Sequence, residues 1–147
     1  MCINEMTLTF DSKSANEAFA RSSLASFAAQ LDPTLDELND IKTIVSEAVT
    51  NCIVHAYPEK MGKIYIKARL FKNNNIVITI RDKGCGIPDV EKAREPMFTT
   101  GDSERSGMGF TIMESFSDKL KVKSNSRGTT VTITKLISMR LGGKCIV

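Results

Sequence analysis

The chain has 147 residues, 41% of them hydrophobic and 25% charged, with 9 glycines and 4 prolines. This composition fits a single domain over residues 1–147 that can bury a core without disulfides or metals, and it excludes collagen-like, low-complexity and disordered classes. The net charge of +3 is too small to point to nucleic acid, yet residues 1–60 hold 4 Lys/Arg against 9 Asp/Glu while residues 61–147 hold 16 against 8. The basic part reads either as solvated strand faces carrying lysines or as a region that handles an anion such as a nucleotide phosphate.

In chain order, Met6 to Phe10 alternates weakly and reads as an edge strand. Ser14 followed by Glu17 matches a capping box, and Ala20, Leu24, Phe27 and Leu31 then keep helical spacing up to Asp32-Pro33. Thr34 with Glu37 matches a second capping box. The long helix that follows carries Leu38, Ile41, Val45, Ala48, Cys52 and Ala56 on one face and ends before Pro58 and Gly62. The period then changes to two. Ile64, Ile66, Ala68 and Leu70 alternate with polar residues, residues 73–75 (NNN) read as a hairpin turn, and Ile76, Ile78 and Ile80 form the returning strand. Residues 83–109 are Gly-rich and polar, with a short helix expected over residues 89–94. A helix is expected from Gly109 to Ser117, and a last hairpin from residues 120–124 and 129–136. Clustered helices and adjacent hairpins predict an α+β sandwich, a mixed and mainly antiparallel sheet with helices on one face.

Three features can carry chemistry. On the long helix, Glu47, Asn51 and His55 recur every four residues. They form one slanted polar stripe bordering the apolar face, which suits a site wall or an ordinary amphipathic boundary. After the second hairpin strand comes Asp82-Lys-Gly84-Cys-Gly86. An acidic group at a strand end can accept from an amino group, and glycines let backbone approach a flat ligand, although a tight turn also explains them. Residues 101–109 (GDSERSGMG) lead into a helix, where amides, the helix N-terminus and Arg105 suit phosphate. A loop of this length in a compact domain is more often a functional lid or disordered than a plain connection. P-loop, GxGxxG and protein-kinase motifs are absent, so any nucleotide would be bound by another geometry.

In this order the three features resemble the N, G1 and G2 boxes of the GHKL (Bergerat) ATPases, which include gyrase, histidine kinases and MutL. Residues 41–51 (IKTIVSEAVTN), 97–100 (MFTT) and 104–114 (ERSGMGFTIME) resemble the anti-sigma factor branch, and residues 16–21 (NEAFAR) and 26–33 (SFAAQLDP) its sporulation members. The resemblance spans about residues 4–136, and the tail 138–147 matches nothing. It implies a cytoplasmic serine kinase that binds ATP or ADP with Mg²⁺, inhibits a sigma factor of the sigma F type, and phosphorylates a serine of a STAS-fold anti-anti-sigma factor. It implies Glu47 as general base or positioning group, Asn51 as a Mg²⁺ ligand, and Asp82 as acceptor from the adenine amino group, with Gly84 and Gly86 against the ring. Thr99, Thr100, Arg105, Ser106, Gly107, Met108 and Gly109 would lie on the phosphate side, and Thr130 beside adenine. The role of His55 stays open between phosphate-side and structural. The branch also implies a homodimer, for which the edge strand at Met6–Phe10 is a candidate seam, and partner contacts through Arg21 and Arg105. A general-stress relative of the same chemistry, and a nucleotide-gated sigma-binding module without kinase activity, are the alternatives.

The remaining expectations are negative. Cysteines at 2, 52, 85 and 145 with one histidine do not make a zinc site, and disulfides are not expected in a reducing compartment. No apolar run approaches the roughly 18 residues of a membrane span, the first ten residues do not read as a signal peptide, and no direct nucleic-acid contact is expected.

Overall fold

The structure, a computed structural model, describes residues 1–86 and 109–138. Strand β1 (Cys2–Asp11) leads to helix α1 (Ala15–Ala28), which tightens into a 3₁₀ turn over Ala29–Leu31. Helix α2 (Leu35–Asn51) runs on into a π turn over Cys52–Ala56. Strands β2 (Lys63–Phe71) and β3 (Asn75–Asp82) follow, then helix α3 (Gly109–Phe116) and strands β4 (Lys119–Asn125) and β5 (Gly128–Leu136). The five strands are ordered β1-β2-β3-β5-β4, and all four described pairings are antiparallel, so the mainly antiparallel sheet contains no parallel pair among the described residues. The edge strand expected at Met6–Phe10 does lie at a sheet edge, extended at both ends.

Period-two alternation builds one face of this sheet. Ile64, Ile66, Leu70, Ile76, Ile78 and Ile80 are each at most 2% exposed. Burial on that scale contributes about 1.5–3 kcal/mol per side chain. They meet Ala20, Leu24, Ile41, Ile44, Val45, Ala48 and Val49 from α1 and α2, and Phe110 and Met113 from α3, in one core. The other face carries Lys63, Lys67, Arg69, Arg81, Lys119, Lys121 and Lys123 toward solvent, which accounts for much of the basic balance of the second part of the chain. Arg81 and Lys83 sit over the Tyr65 ring at 5.0 and 5.1 Å, and Lys63 pairs with Asp11 at 2.6 Å.

The two capping boxes behave differently. At Thr34 both halves form: the Glu37 N–H donates to Thr34 Oγ1 at 3.1 Å, and the Thr34 N–H donates to Glu37 Oε1 at 2.9 Å. Glu37 Oε2 also accepts from the Ser138 N–H at 2.8 Å, tying the segment after β5 to the start of α2. Burial alone would raise the Glu37 carboxyl, but the Thr34 and Ser138 donors hold it below its ordinary value. At Ser14 the box expected from the sequence does not form. Ser14 has helical backbone angles and makes no side-chain cap. Glu17 instead accepts from Ser46 Oγ of α2 at 2.7 Å and pairs with Arg21 at 3.4 Å. A contact between helices replaces the local one, which a linear motif cannot anticipate.

Candidate functional site

Helix α2 packs against α1 and α3 and presents Glu47 and Asn51, both half-buried, toward the start of α3. The N-terminal residue of α3 is Gly109. A side chain there would stand 3.1–3.2 Å from the Asn51 amide and 3.3 Å from Glu47 Oε2. Glycine is thus the residue that lets the head of α3 close on the carboxylate and amide. Glu47, Asn51 and Gly109, read from separate stretches of sequence, are brought together.

One helical turn on, the ladder changes to π spacing, with the Tyr57 N–H donating to the Cys52 carbonyl at 3.2 Å. Cys52 itself keeps α register, its N–H reaching the Ala48 carbonyl, and it faces the core with Ala48. Its thiol donates to Asp82 Oδ2 at 3.6 Å. Asp82 ends β3 on the helix-covered face and is only 6% exposed. Its Oδ1 accepts from the backbone N–H of Gly84 at 2.9 Å and of Thr129 at 3.2 Å. Burial pushes the Asp82 carboxyl above its ordinary value, and these three donors oppose the rise. Burial, with Asp82 beside it, pushes the Cys52 thiol well up, so it remains a donor.

The turn after Asp82 is fixed by close approach. A side chain on Gly84 would run into the Ala56 carbonyl and Cβ at the end of the π turn. Gly86 has φ +81°, and a side chain there would meet the Asn125 carbonyl of the β4–β5 hairpin. The Cys85 thiol donates to the His55 carbonyl at 3.3 Å. Tyr57 clamps the same turn from below: its hydroxyl accepts from the Lys83 N–H at 2.7 Å and donates to the Lys63 carbonyl at 2.8 Å. In the described chain the two glycines therefore serve packing of this turn, and His55 takes part in it through its backbone.

Thr130 is not brought to the site. It pairs with Arg81 in the β3–β5 register, and alternation puts it on the open face of the sheet. The threonine at Asp82 is Thr129, which is 7% exposed and shares a 2.7 Å hydroxyl contact with Ser124. Counting back by twos from the buried Ile133 and Val131 selects Thr129, so the signal was present in the strand pattern. Cys52 was read only as part of the apolar face, because the carboxylate its thiol reaches is 30 residues away, and Tyr57 was missed because the π turn before it has no mark in the sequence. Arg21 lies on the polar side of α1, paired with Glu17. The expected helix at residues 89–94, and Thr99, Thr100, Arg105, Ser106, Gly107 and Met108, lie outside the described residues, as does the tail beyond residue 138.

The arrangement runs from a carboxylate and an amide at the head of α3 to a buried acceptor at the end of β3. No cluster of three or more His, Cys, Asp or Glu that could hold a metal occurs among the described residues. Asn51 beside Gly109 instead suits a cation that takes most of its ligands from phosphates and water, as Mg²⁺ does.

Residues 10–135 match the family of histidine kinase-like ATPase domains. An anti-sigma F factor from Caldanaerobacter subterraneus subsp. tengcongensis is 57% identical over 136 residues, covering 91% of this chain and 94% of that protein. The Bacillus subtilis anti-sigma F factor is 56% identical over 138 residues, covering 92% of this chain and 94% of the relative. The chain belongs to the anti-sigma F factor family. Among solved structures, the RsbU and RsbW domains of a Mycobacterium tuberculosis protein align over 93% of this chain and 33% of that one, with TM-score 0.69 at 20% identity. The histidine kinase domain of the Erythrobacter litoralis blue-light activated kinase aligns over 82% of this chain with TM-score 0.57 at 20% identity. These two likenesses bear on the fold alone, and they agree with the GHKL architecture that the anti-sigma F factor family shares. No helix among the described residues is long and apolar enough to cross a membrane.

Proposed function

We propose that this chain is a cytoplasmic, ATP-dependent protein serine kinase. In this reading it holds a sigma factor of the sigma F type inactive and phosphorylates a serine on a STAS-fold anti-anti-sigma factor. The observation that carries the reading is the convergence of Glu47 and Asn51 on Gly109, along the same helix that continues to the buried Asp82. Family membership supports the sigma factor and the kinase chemistry.

Each residue then has a role. Asp82 Oδ2, which among the described residues receives only the weak thiol donor, accepts from the adenine amino group. Gly84 and Gly86 keep the turn beside the base free of side chains, and Thr129 rather than Thr130 stands beside it. Asn51 would hold Mg²⁺ through its side-chain oxygen, and the cation would supply charge neutralisation at the phosphates. Glu47 lies one helical turn away and orients the substrate serine hydroxyl or takes its proton. Gly109 leaves room for phosphate at the head of α3, with Thr99, Thr100, Arg105, Ser106, Gly107 and Met108 assigned to the same end. Transfer between phosphate and hydroxyl needs positioning and charge neutralisation more than covalent help from the protein.

The reading includes a homodimer. Strand β1 lies at the sheet edge, and Met6, Phe19 and Phe27 line a groove between it and α1, with Phe19 51% exposed. An unpaired edge beside apolar surface suits a second copy related by a two-fold axis. Arg21 is assigned to partner contacts on the neighbouring helix face, and Arg105 likewise.

The test is incubation with labelled ATP, Mg²⁺ and candidate STAS proteins, read by mass spectrometry, with a sigma pull-down in ATP or ADP. Phosphoserine on one STAS protein and retention of sigma are expected. Sigma retention without phosphate transfer to any STAS protein would reduce the chain to a nucleotide-gated binding module. A monomer by light scattering at micromolar concentration would remove the dimer.

A further inference from the structure

The charge of the chain is divided between its two layers. Helices α1, α2 and α3 carry two cations, Arg21 and Lys42, against acids at 17, 36, 37, 40, 47 and 114. Strands β2, β4 and β5 contain no Asp or Glu, and the one acid of β3, Asp82, lies on the helix-covered face. The lysine of β5, Lys135, is also turned to the helices, where it pairs with Asp40 at 3.4 Å. The net charge of +3 therefore conceals a basic open face.

Register sets the cations of that face in two lines. On β4, Lys119, Lys121 and Lys123 stand opposite Thr134, Thr132 and Thr130. On β2, Lys67 and Arg69 stand opposite Thr79 and Val77. Thr79 pairs in turn with Thr132 and Val77 with Thr134, so a floor of threonines and one valine separates the lines. Strand spacing puts the two lines about 14 Å apart and successive β4 lysines about 7 Å apart. The carboxylates of this face, Glu5 and Asp11, stand on β1, beside Lys67 at 3.9 Å and Lys63 at 2.6 Å. An exposed pair at 3.9 Å holds Lys67 only weakly. Among the described residues no ion pair engages the three β4 lysines, all of them exposed.

We propose that the open face of the sheet is a sequence-independent binding surface for duplex nucleic acid, with the β4 lysines and the β2 cations each meeting one phosphate backbone. Charge complementarity carries the assignment. A duplex presents a phosphate about every 3.4 Å along each strand, so each β4 lysine finds one within reach in any register. Its major groove is about 12 Å wide, close to the separation of the two lines. Between them the hydroxyls of Thr79, Thr130, Thr132 and Thr134 suit phosphate and sugar oxygens. An acidic protein fits less well. A stable protein interface is anchored by large apolar or aromatic side chains near its centre, and the centre here is Thr79 and Thr132. Tyr65, the aromatic residue of these rows, is covered by Arg81 and Lys83. The expectation of no nucleic-acid contact rests on net charge, which separation of charge by layer makes uninformative.

The test is fluorescence anisotropy of short labelled duplexes, one DNA and one RNA, titrated with the full chain over a salt series. Binding is expected to weaken steeply with salt, with a log–log slope of about −3 to −5, as for four or five neutralised phosphates. Lys119→Gln combined with Lys121→Gln and Lys123→Gln should lower affinity at low salt at least about tenfold and flatten the slope by about two to three. Lys67→Gln with Arg69→Gln, on the other line, should act in the same direction, and this pair decides if thermal melts show the β4 variant unfolded. A matched control, Lys13→Gln with Lys42→Gln and Lys60→Gln, removes three charges outside the five strands and should bind within about twofold of the parent. Binding of one duplex alone assigns the surface to DNA or to RNA. An equal loss in the control, or neither duplex bound at low salt, would overturn the proposal. So would capture of poly-glutamate or phosphatidylserine vesicles through the same lysines with both duplexes left free, which would make the face a protein or membrane surface.

Discussion

The two ends of the candidate site are built in opposite ways. At the Asp82 end the carboxylate is buried, its described hydrogen-bond donors are in place, and the turn beside it is locked by Gly84 on Ala56, Gly86 on Asn125 and Tyr57 beneath. At the Glu47 end the carboxylate and the Asn51 amide are half-buried and faced by the glycine that opens α3. The first end is preorganised by the fold; the second, in the proposed reading, accepts groups that arrive with ligand and substrate. Preorganisation has a stability cost, because a carboxylate out of water with no cation beside it among the described residues is held against desolvation. Substitutions at the two ends should therefore read out differently.

The largest effect is expected at the open end. Glu47→Gln keeps size and hydrogen bonding but cannot take a proton. It should lower phosphate transfer to the STAS substrate by about 10²–10⁴-fold while leaving ADP affinity and melting temperature near the parent values. Rate assays beside calorimetry decide it. A parallel loss of nucleotide affinity would mean that this end is preorganised too, and the contrast would fail.

Asp82→Asn should do the reverse in part. Nucleotide affinity is expected to fall at least tenfold, about 1.4 kcal/mol, since the amide is no longer a pure acceptor. Stability is expected to hold or rise at neutral pH. The sign follows from the raised Asp82 carboxyl. The folded chain binds the proton more tightly than the unfolded chain, so this group's contribution is full below its ordinary value of 3.8 and is lost as pH rises through the folded value. Asparagine has no such loss, so the melting temperature of the variant relative to the parent should increase from acid to neutral pH. A melting-temperature difference between variant and parent that stays flat, or falls, from acid to neutral pH would show that the charge is not a burden here.

How much of this was legible beforehand differs between the two ends as well. The strands and their buried faces followed from period two, and Ile64 to Leu70 and Ile76 to Ile80 are placed as alternation required. Glu47 and Asn51 were legible because helical spacing is a local rule, and Asp82 because it stands where a strand stops. The competition at Glu17 was not legible, because Ser46 is 29 residues away and reaches it only in the folded chain. The thiol donor of Asp82 was not legible for the same reason, since Cys52 lies 30 residues from it, whereas strand alternation marks Thr129 as a residue of the buried face. The roles expected of Gly84 and Gly86 rested on ligand approach, and the fold supplies a second demand for both, the contacts with Ala56 and Asn125.

Gly109→Ala tests how closely the open end must pack. The new methyl would stand 3.1–3.3 Å from the Asn51 amide and Glu47 Oε2, so one of these side chains must give by a few tenths of an ångström. In the apo chain alanine at a helix start costs little, and stability should change by less than about 1 kcal/mol. In the nucleotide complex Asn51 and Glu47 have less room to yield, so Mg²⁺-ATP affinity is expected to fall several-fold and phosphate transfer further. An equal loss in the absence of Mg²⁺ would place the damage away from Asn51.

The smallest expected effect separates neighbours on one strand. Thr129 stands beside Asp82 and shares its hydroxyl with Ser124 at 2.7 Å, whereas Thr130 pairs with Arg81 and Lys123 on the open face. Valine is close in shape to threonine and favours strands, so each replacement removes a hydroxyl with little change in packing. Thr129→Val keeps the backbone donor to Asp82 and loses only the hydroxyl pair, at a cost of about 0.5–1.5 kcal/mol in stability and a few-fold in ADP affinity. Thr130→Val should leave ADP affinity unchanged and stability within about 0.5 kcal/mol, as for other surface substitutions. Paired titrations of the two variants decide between them. If Thr130→Val is the one that weakens nucleotide, the base lies against the open face of the sheet, and the assignment of the preorganised end to the Asp82 side of β5 is wrong.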